Sequence, residues 1–291
     1  MIEVEKLTFT YPGTEAPAVH DVGFRVDSGQ IFGFLGPSGA GKSTVQKIMI
    51  GLLPLQTGAV RYDDHDLPAL LRTRGRDFFA DIGVSFEHPN LFPRLSGLEN
   101  LQAFAGLYPG GNREDPRALL ERVGLGAAID RKAEDYSKGM KQRLVFARSL
   151  LHRPRYLFLD EPTSGLDPAT ARVIMEIIGE HKQRGATIIL TTHDMLVAGT
   201  LADQVAFLHE GTIAACDAPR ALELQYGQRA VRVEHRQKGV LTSELLFLDD
   251  EDDRRYLASL TAAGEIETMH SQEASLDAIF LQITGKALVQ A

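Results

Sequence analysis

Gly36-Pro37-Ser38-Gly39-Ala40-Gly41-Lys42-Ser43-Thr44 is the stretch of sequence that decides the fold, because it matches the pattern G-x-x-x-x-G-K-[ST] at every position. Glycines in such a loop let backbone N–H groups point at phosphate oxygens where a Cβ would collide. Lys42 is expected to reach the β- and γ-phosphates of a nucleoside triphosphate, and Ser43 to offer its hydroxyl to Mg²⁺. The apolar run from Gln30 to Leu35 predicts a buried strand before the loop, and the pattern from Lys42 to Leu53 predicts a helix after it. We therefore predict that residues 36–44 bind nucleotide phosphates.

A second polar feature, the acidic pair Asp160-Glu161, follows the apolar run from Tyr156 to Leu159. Four consecutive core-type residues predict a buried strand, and α/β sheets bind ligands at the carboxyl ends of such strands. Asp160 is therefore expected to hold Mg²⁺, directly or through water, and Glu161 to orient or deprotonate the attacking water. An acidic pair after a strand is by itself also typical of a helix N-cap, and the phosphate loop is what favours the catalytic interpretation.

The hydrophobic pattern changes along the chain in a way that indicates the architecture. Alternation from Ile2 to Phe9 predicts a half-buried strand, and between about residues 88 and 152 helical spacing replaces the strand patterns. Strand and helix patterns then alternate and predict a largely parallel sheet. We therefore predict an α/β protein: a P-loop NTPase core with an N-terminal antiparallel β subdomain, an α-helical subdomain inserted at about 88–152 and a small C-terminal α+β extension. The ATPase domain is expected to cover residues 1–217, and an accessory region residues 218–291.

The accessory region has two features that need interpretation. The acidic run at residues 249–253 invites comparison with a cation site, but acids also favour a helix N-terminus, and the helical pattern of residues 254–257 favours that second interpretation. Near the end of the chain, Leu276 to Gly285 predicts an amphipathic helix that covers an apolar surface.

Composition and charge restrict the class of protein. The 291 residues include 31 basic and 39 acidic side chains, a net charge of −8, so the average surface would repel a nucleic-acid backbone. The single cysteine, Cys216, is typical of a chain in a reducing cytosol, and we expect it to be a small buried apolar residue. No stretch approaches the roughly 18 uncharged apolar residues that a membrane-spanning helix needs. Any action at a membrane therefore requires another chain to cross it.

These motifs and their order resemble the ATP-binding cassette (ABC) family. The segment Tyr136-Ser137-Lys138-Gly139-Met140-Lys141-Gln142-Arg143 is similar to the family's signature motif, and Ser164-Gly165-Leu166-Asp167 resembles its D-loop. Thr191-Thr192-His193-Asp194 contains the position of the family's switch histidine, and Tyr11 matches the aromatic residue that stacks on adenine. The resemblance covers about residues 2–215 and rests on five motifs in the family's order.

The resemblance implies an ATPase that uses ATP and Mg²⁺ and works as a dimer. Two cassettes bind head to tail, so that each ATP lies between the phosphate loop of one subunit and the signature segment of the other. Ser137 and the Gly139 amide are then expected to contact the γ-phosphate across the interface, at a helix N-terminus. His193 would hydrogen-bond near the same phosphate, and Asp167 would link the two sites. A homodimer would have two complete sites, although the sequence does not distinguish it from pairing with a sister cassette.

Two positions depart from the family's pattern. Lys138 stands where the signature has its first glycine, and it either adds positive charge near the nucleotide or faces solvent. Glu87 stands at the usual glutamine position, where an ionised carboxylate can ligate Mg²⁺, directly or through water, but cannot donate a hydrogen bond. The two variants resemble exporters whose cassette and permease are separate chains, including exporters of peptide antibiotics and related drugs.

The resemblance therefore favours the ATP-hydrolysing subunit of an exporter that drives a separate transmembrane permease. We expect the substrate to be a drug, antibiotic, peptide or lipid, and the chain to lie in the cytoplasm on the inner face of the cell membrane. The alternative is a soluble ABC ATPase acting on ribosomes or DNA. Relatives of that kind carry two cassettes or a long coiled-coil insert, whereas about 95 residues separate Lys42 from Ser137 here. The acidic charge also disfavours a nucleic-acid partner, and the presence of Glu161 disfavours a regulator without turnover.

Overall fold

The computed structural model describes residues 1–108, 113–227, 229–237, 240–272 and 274–285. Its strands are β1 (Ile2–Phe9), β2 (Val19–Val26), β3 (Ile31–Leu35), β4 (Thr57–Tyr62), β5 (His65–Asp66), β6 (Ile82–Ser85), β7 (Tyr156–Asp160), β8 (Thr187–Thr192), β9 (Gln204–His209), β10 (Thr212–Asp217), β11 (Ala230–Gln237), β12 (Val240–Phe247) and β13 (Ile266–Gln272). Its α-helices are α1 (Lys42–Met49), α2 (Leu67–Thr73), α3 (Gly75–Ala80), α4 (Gly97–Ala105), α5 (Pro116–Arg122), α6 (Lys138–Leu150), α7 (Pro168–Gln183), α8 (Met195–Leu201), α9 (Pro219–Tyr226), α10 (Glu251–Ala263) and α11 (Leu276–Thr284). Short 3₁₀ turns cover Gly126–Ala128 and Ala133–Asp135.

The chain forms two compact units, one of Met1–Cys216 and a second that begins at Asp217. The first is built on a six-stranded sheet in the order β10-β9-β3-β8-β7-β6. The β3, β8, β9, β7 and β6 pairings are parallel, and β3, β7 and β8 are buried along their whole length. Strands covered on both faces favour continuous apolar runs over alternation, which is why these three were predictable. Their carboxyl ends meet at one edge of the sheet.

A smaller antiparallel sheet, β2-β1-β4-β5, packs beside this core. Its strands alternate buried and exposed positions, as expected when one face is covered. The ring of Phe24 on β2 packs against Phe32 and Phe34 on β3, with centroids 4.8 and 4.9 Å apart. The predicted N-terminal β subdomain is therefore confirmed.

Between β6 and β7 the described chain is helical, which confirms the inserted helical subdomain. Helix α4 begins with a capping box, in which Ser96 and Glu99 each bind the other's backbone N–H. Apolar side chains of α4, α5 and α6, including Leu101, Leu120 and Leu144, share one buried cluster with the core of the central sheet. The subdomain is therefore packed firmly onto the body that carries the phosphate loop.

Several local predictions need correction. Helix α1 ends at Met49 and not at Leu53, because the chain turns at Gly51, which has φ of 74°. Strand β6, helices α2 and α3 and strand β10 were not predicted, because none of them has the continuous apolar run that revealed β3, β7 and β8. Cys216 was expected to be buried and is exposed.

The second unit contains a three-stranded sheet in the order β12-β11-β13, with both pairings antiparallel. Helix α10 packs on it through a small cluster of Val233, Leu246 and Leu260. The acidic run lies at the start of α10, where Asp250 accepts hydrogen bonds from the backbone of Asp252 and Asp253, so the helix-start interpretation is confirmed. None of the described helices combines the length and hydropathy needed to cross a bilayer.

Candidate nucleotide site

The phosphate loop connects β3 to α1 at the carboxyl edge of the central sheet. Two of its glycines are required by close approach: a Cβ on Gly36 would lie 2.2 Å from the Leu208 carbonyl oxygen, and one on Gly41 2.7 Å from that of Ala18. Gly41 also has φ of 106°, a backbone conformation that favours glycine. The backbone of Ala40 donates to Pro37, which closes the turn and leaves Ser38 and Gly39 exposed at its tip. The loop thus opens toward solvent directly before a helix N-terminus.

Lys42 is the buried cation of this loop. Its Nζ donates to the carbonyl oxygens of Gly36, at 2.6 Å, and Pro37, at 3.0 Å, so the ammonium is folded back inside the loop. Burial lowers the pKa of Lys42, and the negative charges of Glu161, Asp160 and Glu87 oppose that shift. Among the described residues its hydrogen-bond acceptors are neutral carbonyls, and a buried ammonium in this state is suited to receive an anionic phosphate.

Asp160 lies at the end of β7, next to the start of α1. It is 7% exposed, and its carboxylate accepts hydrogen bonds from Ser43 Oγ, at 3.2 Å, and from Thr191 Oγ1. A carboxylate beside a hydroxyl is a hard oxygen donor set of the kind that Mg²⁺ prefers. Among the described residues, no group of three or more His, Cys, Asp or Glu is placed to hold a metal ion.

Glu87, the third predicted metal ligand, has no direct bond to this pair within the described chain. It lies just after β6 and is exposed, and in the described chain no hydrogen bond or ion pair connects it to Ser43 or Asp160. Its carboxylate acts on the site through its charge, which raises the pKa of Lys42. Its role as a metal ligand therefore stays a prediction.

Glu161 adopts a strained backbone conformation with φ of 50°, which turns the chain sharply after β7. Its side chain is mostly buried and lies 2.8 Å from Nδ1 of the half-exposed His193, measured to Oε1. Thr192 Oγ1 donates to the other carboxylate oxygen at 3.3 Å, and Gln142 Nε2 donates to the Glu161 backbone carbonyl at 3.4 Å. The carboxylate is thus fixed from several sides at the edge of the sheet.

Sequence analysis assigned no individual role to Thr191, Thr192 or Gln142, which position the two carboxylates. For Thr191 and Thr192, the one feature of the sequence that could have indicated this role is the change from apolar to hydroxyl side chains at the end of the buried strand β8. No sequence feature indicates the contact of Gln142 with the Glu161 carbonyl, because that contact depends on how α6 packs against the turn after β7.

Four other predicted residues lie apart from this cluster or at its border. Tyr11 stands beside the loop, with its hydroxyl 3.1 Å from Thr44 Oγ1. Ser137 and Asp167 are exposed and cap the N-termini of α6 and α7, and Gly139 lies in the first turn of α6. Within the described chain no hydrogen bond joins these last three residues to residues 36–44.

Comparison with known proteins places the chain among a large group of relatives. It matches the protein-family model described as "ABC transporter" over residues 19–164. It is 48% identical over 289 residues to a Mycobacterium tuberculosis protein named as a fluoroquinolones export ATP-binding protein, covering 99% of this chain and 94% of that protein. It is 32% identical over 305 residues to the Nod factor export ATP-binding protein I of Paraburkholderia xenovorans, covering 99% and 98%.

Solved structures of ATP-binding cassettes match about three quarters of the chain. The structure of the ATP-binding subunit of an ABC transporter superposes with a TM-score of 0.69 at 30% identity, covering 78% of this chain and 93% of that one. A dimeric ATP-binding cassette in a post-hydrolysis state, bound to ADP and Pi, superposes with a TM-score of 0.69 at 27% identity, covering 75% and 98%.

Proposed function

The chain belongs to the ABC transporter family and is an ATP-binding ATPase, and from this premise we propose that it powers export of a substrate through a separate membrane permease. Among its relatives, the Mycobacterium tuberculosis protein is named for fluoroquinolone export and the Paraburkholderia protein for Nod factor export. The class of substrate that we infer is therefore an exported drug, antibiotic, peptide or lipid.

The observation that supports the ATPase mechanism is that the carboxyl ends of β7 and β8 lie beside the phosphate loop. Ser43 bonds to Asp160 across 117 residues of sequence, and Glu161 bonds to His193 at the neighbouring strand end. Phosphoryl transfer to water needs groups that hold the phosphates, a carboxylate that can hold Mg²⁺ and a group that orients the attacking water. The phosphate loop, Asp160 and the Glu161–His193 pair lie at one edge of the central sheet and would supply these three roles.

In the proposed mechanism Lys42 exchanges its two carbonyl partners for the β- and γ-phosphates of ATP, and the loop amides of residues 36–44 hold their oxygens. Ser43 and Asp160 would hold Mg²⁺, which supplies charge stabilisation to the phosphates when it is bound. Glu161 orients the attacking water and accepts its proton, and His193 fixes the carboxylate and reaches toward the γ-phosphate. Tyr11 supports the adenine side of the site.

A second copy of the chain completes the site in this proposal. Ser137, Gly139 and Asp167 lie at the N-terminal ends of α6 and α7 and face solvent or are only partly covered. A helix N-terminus attracts anions, so in a head-to-tail dimer Ser137 and the Gly139 amide would meet the γ-phosphate bound by the partner, and Asp167 would link the two sites. The dimeric solved relatives support this arrangement.

The permease would dock on an apolar groove between the central sheet and the helical subdomain. The groove has a volume of about 310 Å³, and its lining includes Leu52, Phe79, Phe86, Phe104 and Tyr108. Leu52 and Phe79 are 59% and 42% exposed, and with the other apolar lining residues they form a continuous patch of the kind that a partner protein covers. We place a cytoplasmic segment of the permease in this groove, which would hold the chain on the inner face of the cell membrane.

The proposal is tested with a tagged Glu161→Gln variant, which is expected to bind ATP and hydrolyse it slowly. The variant is recovered from detergent-solubilised membranes with Mg-ATP, and a Lys42→Ala variant with the same tag serves as the control that does not hold ATP. Recovery of a polytopic membrane protein in stoichiometric amount with Glu161→Gln, and less of it with Lys42→Ala, would support the proposal and identify the permease. Recovery from the soluble fraction alone, with ribosomes or nucleic acid attached, would contradict export and leave the ATPase assignment in place.

A further inference from the structure

Strand β12 forms one edge of the three-stranded sheet in the second unit. It has eight residues, Val240–Phe247, and pairs with β11 along its whole length without a register shift. Natural edge strands are commonly protected from pairing with other chains by short length, a bulge, a proline or a lysine. None of these protections is present in β12. The other edge strand, β13, has a register shift against β11 between Glu234 and His235.

Every second residue of β12 directs its backbone N–H and C=O away from the sheet. The backbone N–H of Leu248 donates to the Arg229 carbonyl at 2.6 Å, and this bond fixes the alternation, so that the even-numbered residues of β12 bond to β11. The backbone groups of Leu241, Ser243 and Leu245 therefore point outward. Within the part of the chain that the structure describes, no hydrogen bond reaches them.

The fold itself closes this edge at Phe247. The backbone N–H of Phe247 also points outward, and Asp253 in the first turn of α10 accepts it at 2.7 Å, measured to Oδ2. The edge is therefore open from Val240 to Leu246 and protected beyond. A strand that pairs with β12 has to fit this open stretch.

Large apolar side chains of the open stretch are exposed to solvent. Helix α10 packs on the face of the sheet that carries Leu246, so Leu241, Ser243 and Leu245 lie on the opposite face. Leu241 is 55% exposed and Leu245 is 36% exposed. Unpaired backbone groups beside exposed apolar side chains favour the addition of another strand.

We propose that β12 pairs antiparallel with β12 of a second copy of the chain, with Ser243 opposite Ser243, so that the two three-stranded sheets join edge to edge. In this register Leu241 of one copy lies opposite Leu245 of the other, and each outward N–H and C=O of these three residues gains a partner. The inference rests on the proposed homodimer only in that two copies of the chain must meet.

The sequence of β12 favours this register over its neighbours. The pattern Leu-Thr-Ser-Glu-Leu is apolar at both ends and small in the middle, so it is complementary to itself about a two-fold axis. Each Glu244 then lies opposite Thr242. A register centred on Glu244 would place two carboxylates opposite each other, and it would pair Leu241 with Phe247, whose N–H is already bonded. A second copy of the chain therefore fits this edge.

The contact is small. One strand against one strand buries less than the roughly 800 Å² per partner of stable interfaces. It is therefore expected to be weak between free chains and to add strength when ATP already holds two copies together, because the second contact is then intramolecular. Loss of the edge contact should weaken the ATP-held dimer without abolishing it.

Disulfide cross-linking of the full chain tests the register. The background is Glu161→Gln with Cys216→Ser, which removes the single natural cysteine, in the presence of Mg-ATP. Residues opposite each other in such a hydrogen-bonded pair have Cα atoms about 5.5 Å apart, within the range of a disulfide. Under mild oxidation Ser243→Cys should form at least fivefold more cross-linked dimer than Leu241→Cys, whose like residue in the second copy lies roughly 13 Å along the strand. A mixture of Leu241→Cys with Leu245→Cys should cross-link more than either variant alone.

A second test measures the strength of the dimer with a matched pair of substitutions. Leu241 and Met269 have nearly equal exposure, 55% and 54%, but Met269 lies on the other edge strand, β13. In the Glu161→Gln background with Mg-ATP, Leu241→Lys should weaken dimerisation about fivefold in analytical ultracentrifugation, because it places a charge against an apolar side chain. Met269→Lys should change it less than twofold, and both variants should keep the thermal unfolding midpoint.

The possible results distinguish the β12 contact from the head-to-tail dimer. If ATP holds two copies together and Ser243→Cys cross-links no more than Leu241→Cys, or if Leu241→Lys dimerises as Met269→Lys does, the β12 contact is wrong and the head-to-tail dimer stands. Cross-linking of Ser243→Cys to itself without an ATP-held dimer would support the β12 contact alone. Cross-linking of Ser243→Cys to a co-purified permease and not to itself would overturn the proposal and assign the edge to the permease.

Discussion

The hydroxyl and the aromatic ring of Tyr11 make different contacts. Its hydroxyl lies 3.1 Å from Thr44 Oγ1, and its ring packs at a right angle to Phe9 with centroids 4.9 Å apart. These contacts hold the ring beside the first turn of α1, next to the phosphate loop. The position is consistent with a ring that supports adenine, and the hydroxyl would serve only to orient it.

We therefore expect Tyr11→Ala to weaken ATP binding by about tenfold or more, because stacking of a base on an aromatic ring is worth roughly 1–3 kcal/mol. Tyr11→Phe keeps the ring and loses only the contact with Thr44, so its affinity should stay within about twofold of the original. Both affinities are measured by titration with a fluorescent ATP analogue. An equal loss in the two variants would assign the effect to the hydroxyl and contradict adenine stacking.

Glu87 offers a second prediction at the scale of one residue. The side chain is exposed and acts on Lys42 through its charge, without a hydrogen bond to the inner pair of Ser43 and Asp160. Glu87→Gln should therefore retain ATP affinity and change how strongly the permease and its substrate stimulate hydrolysis. Stimulated turnover is compared in reconstituted vesicles, with Glu121→Gln, an exposed acid on α5, as the control. Stimulated turnover equal to that of the unmodified protein would count against a coupling role.

At the scale of elements, two helices of the inserted subdomain begin with the same cap chemistry. Ser96 Oγ accepts from the backbone of Glu99 at 3.2 Å, and Ser137 Oγ accepts from the backbone of Met140 at 3.2 Å. Ser96 is buried, whereas Ser137 is exposed at the start of α6. Comparing Ser96 with Ser137 therefore distinguishes the structural role of a helix cap from a role in nucleotide binding.

Ser96→Ala and Ser137→Ala should each lower the free energy of unfolding by about 1 kcal/mol, the usual effect of losing an N-cap. Only Ser137→Ala should lower ATP hydrolysis strongly, because in the proposed dimer its hydroxyl also contacts the γ-phosphate. Urea unfolding and steady-state hydrolysis are measured on both variants. Similar losses of hydrolysis in both would show that Ser137 acts through the stability of the subdomain.

The success of sequence-based prediction also differed between elements for physical reasons. Strands β3, β7 and β8 are buried on both faces, so their apolar runs were visible without any knowledge of their neighbours. Strand β6 has four residues, Ile-Gly-Val-Ser, and helix α2 has seven, lengths at which one period cannot be distinguished from another. Their identity is decided by pairing with β7 and by tertiary contacts.

For the molecule as a whole, predictability depended on whether a site is contiguous in sequence. The phosphate loop and the Asp160-Glu161 pair are continuous segments with a fixed spacing, and the structure brings them to one edge of the sheet. By contrast, a cavity beside the starts of β7 and β8 is lined by residues 153–155, 181 and 184–186, which are far apart in sequence. No local pattern marks such a set, because the grouping arises only when the strands of the sheet align.

The last prediction concerns the assembly of two chains. Each nucleotide site holds its phosphate loop and carboxylates, while Ser137, Gly139 and Asp167 have no hydrogen bond to that loop within the described chain. If ATP joins these parts between two copies, Glu161→Gln with Mg-ATP should elute in size-exclusion chromatography with light scattering at close to twice the 31.9 kDa of one chain. ADP should leave it monomeric, because the γ-phosphate that both subunits contact is absent, and Glu161→Gln combined with Lys42→Ala should stay monomeric in ATP. A monomer under all conditions would contradict an ATP-held homodimer and favour pairing with a sister cassette, whereas a dimer that ignores the nucleotide would place the interface elsewhere.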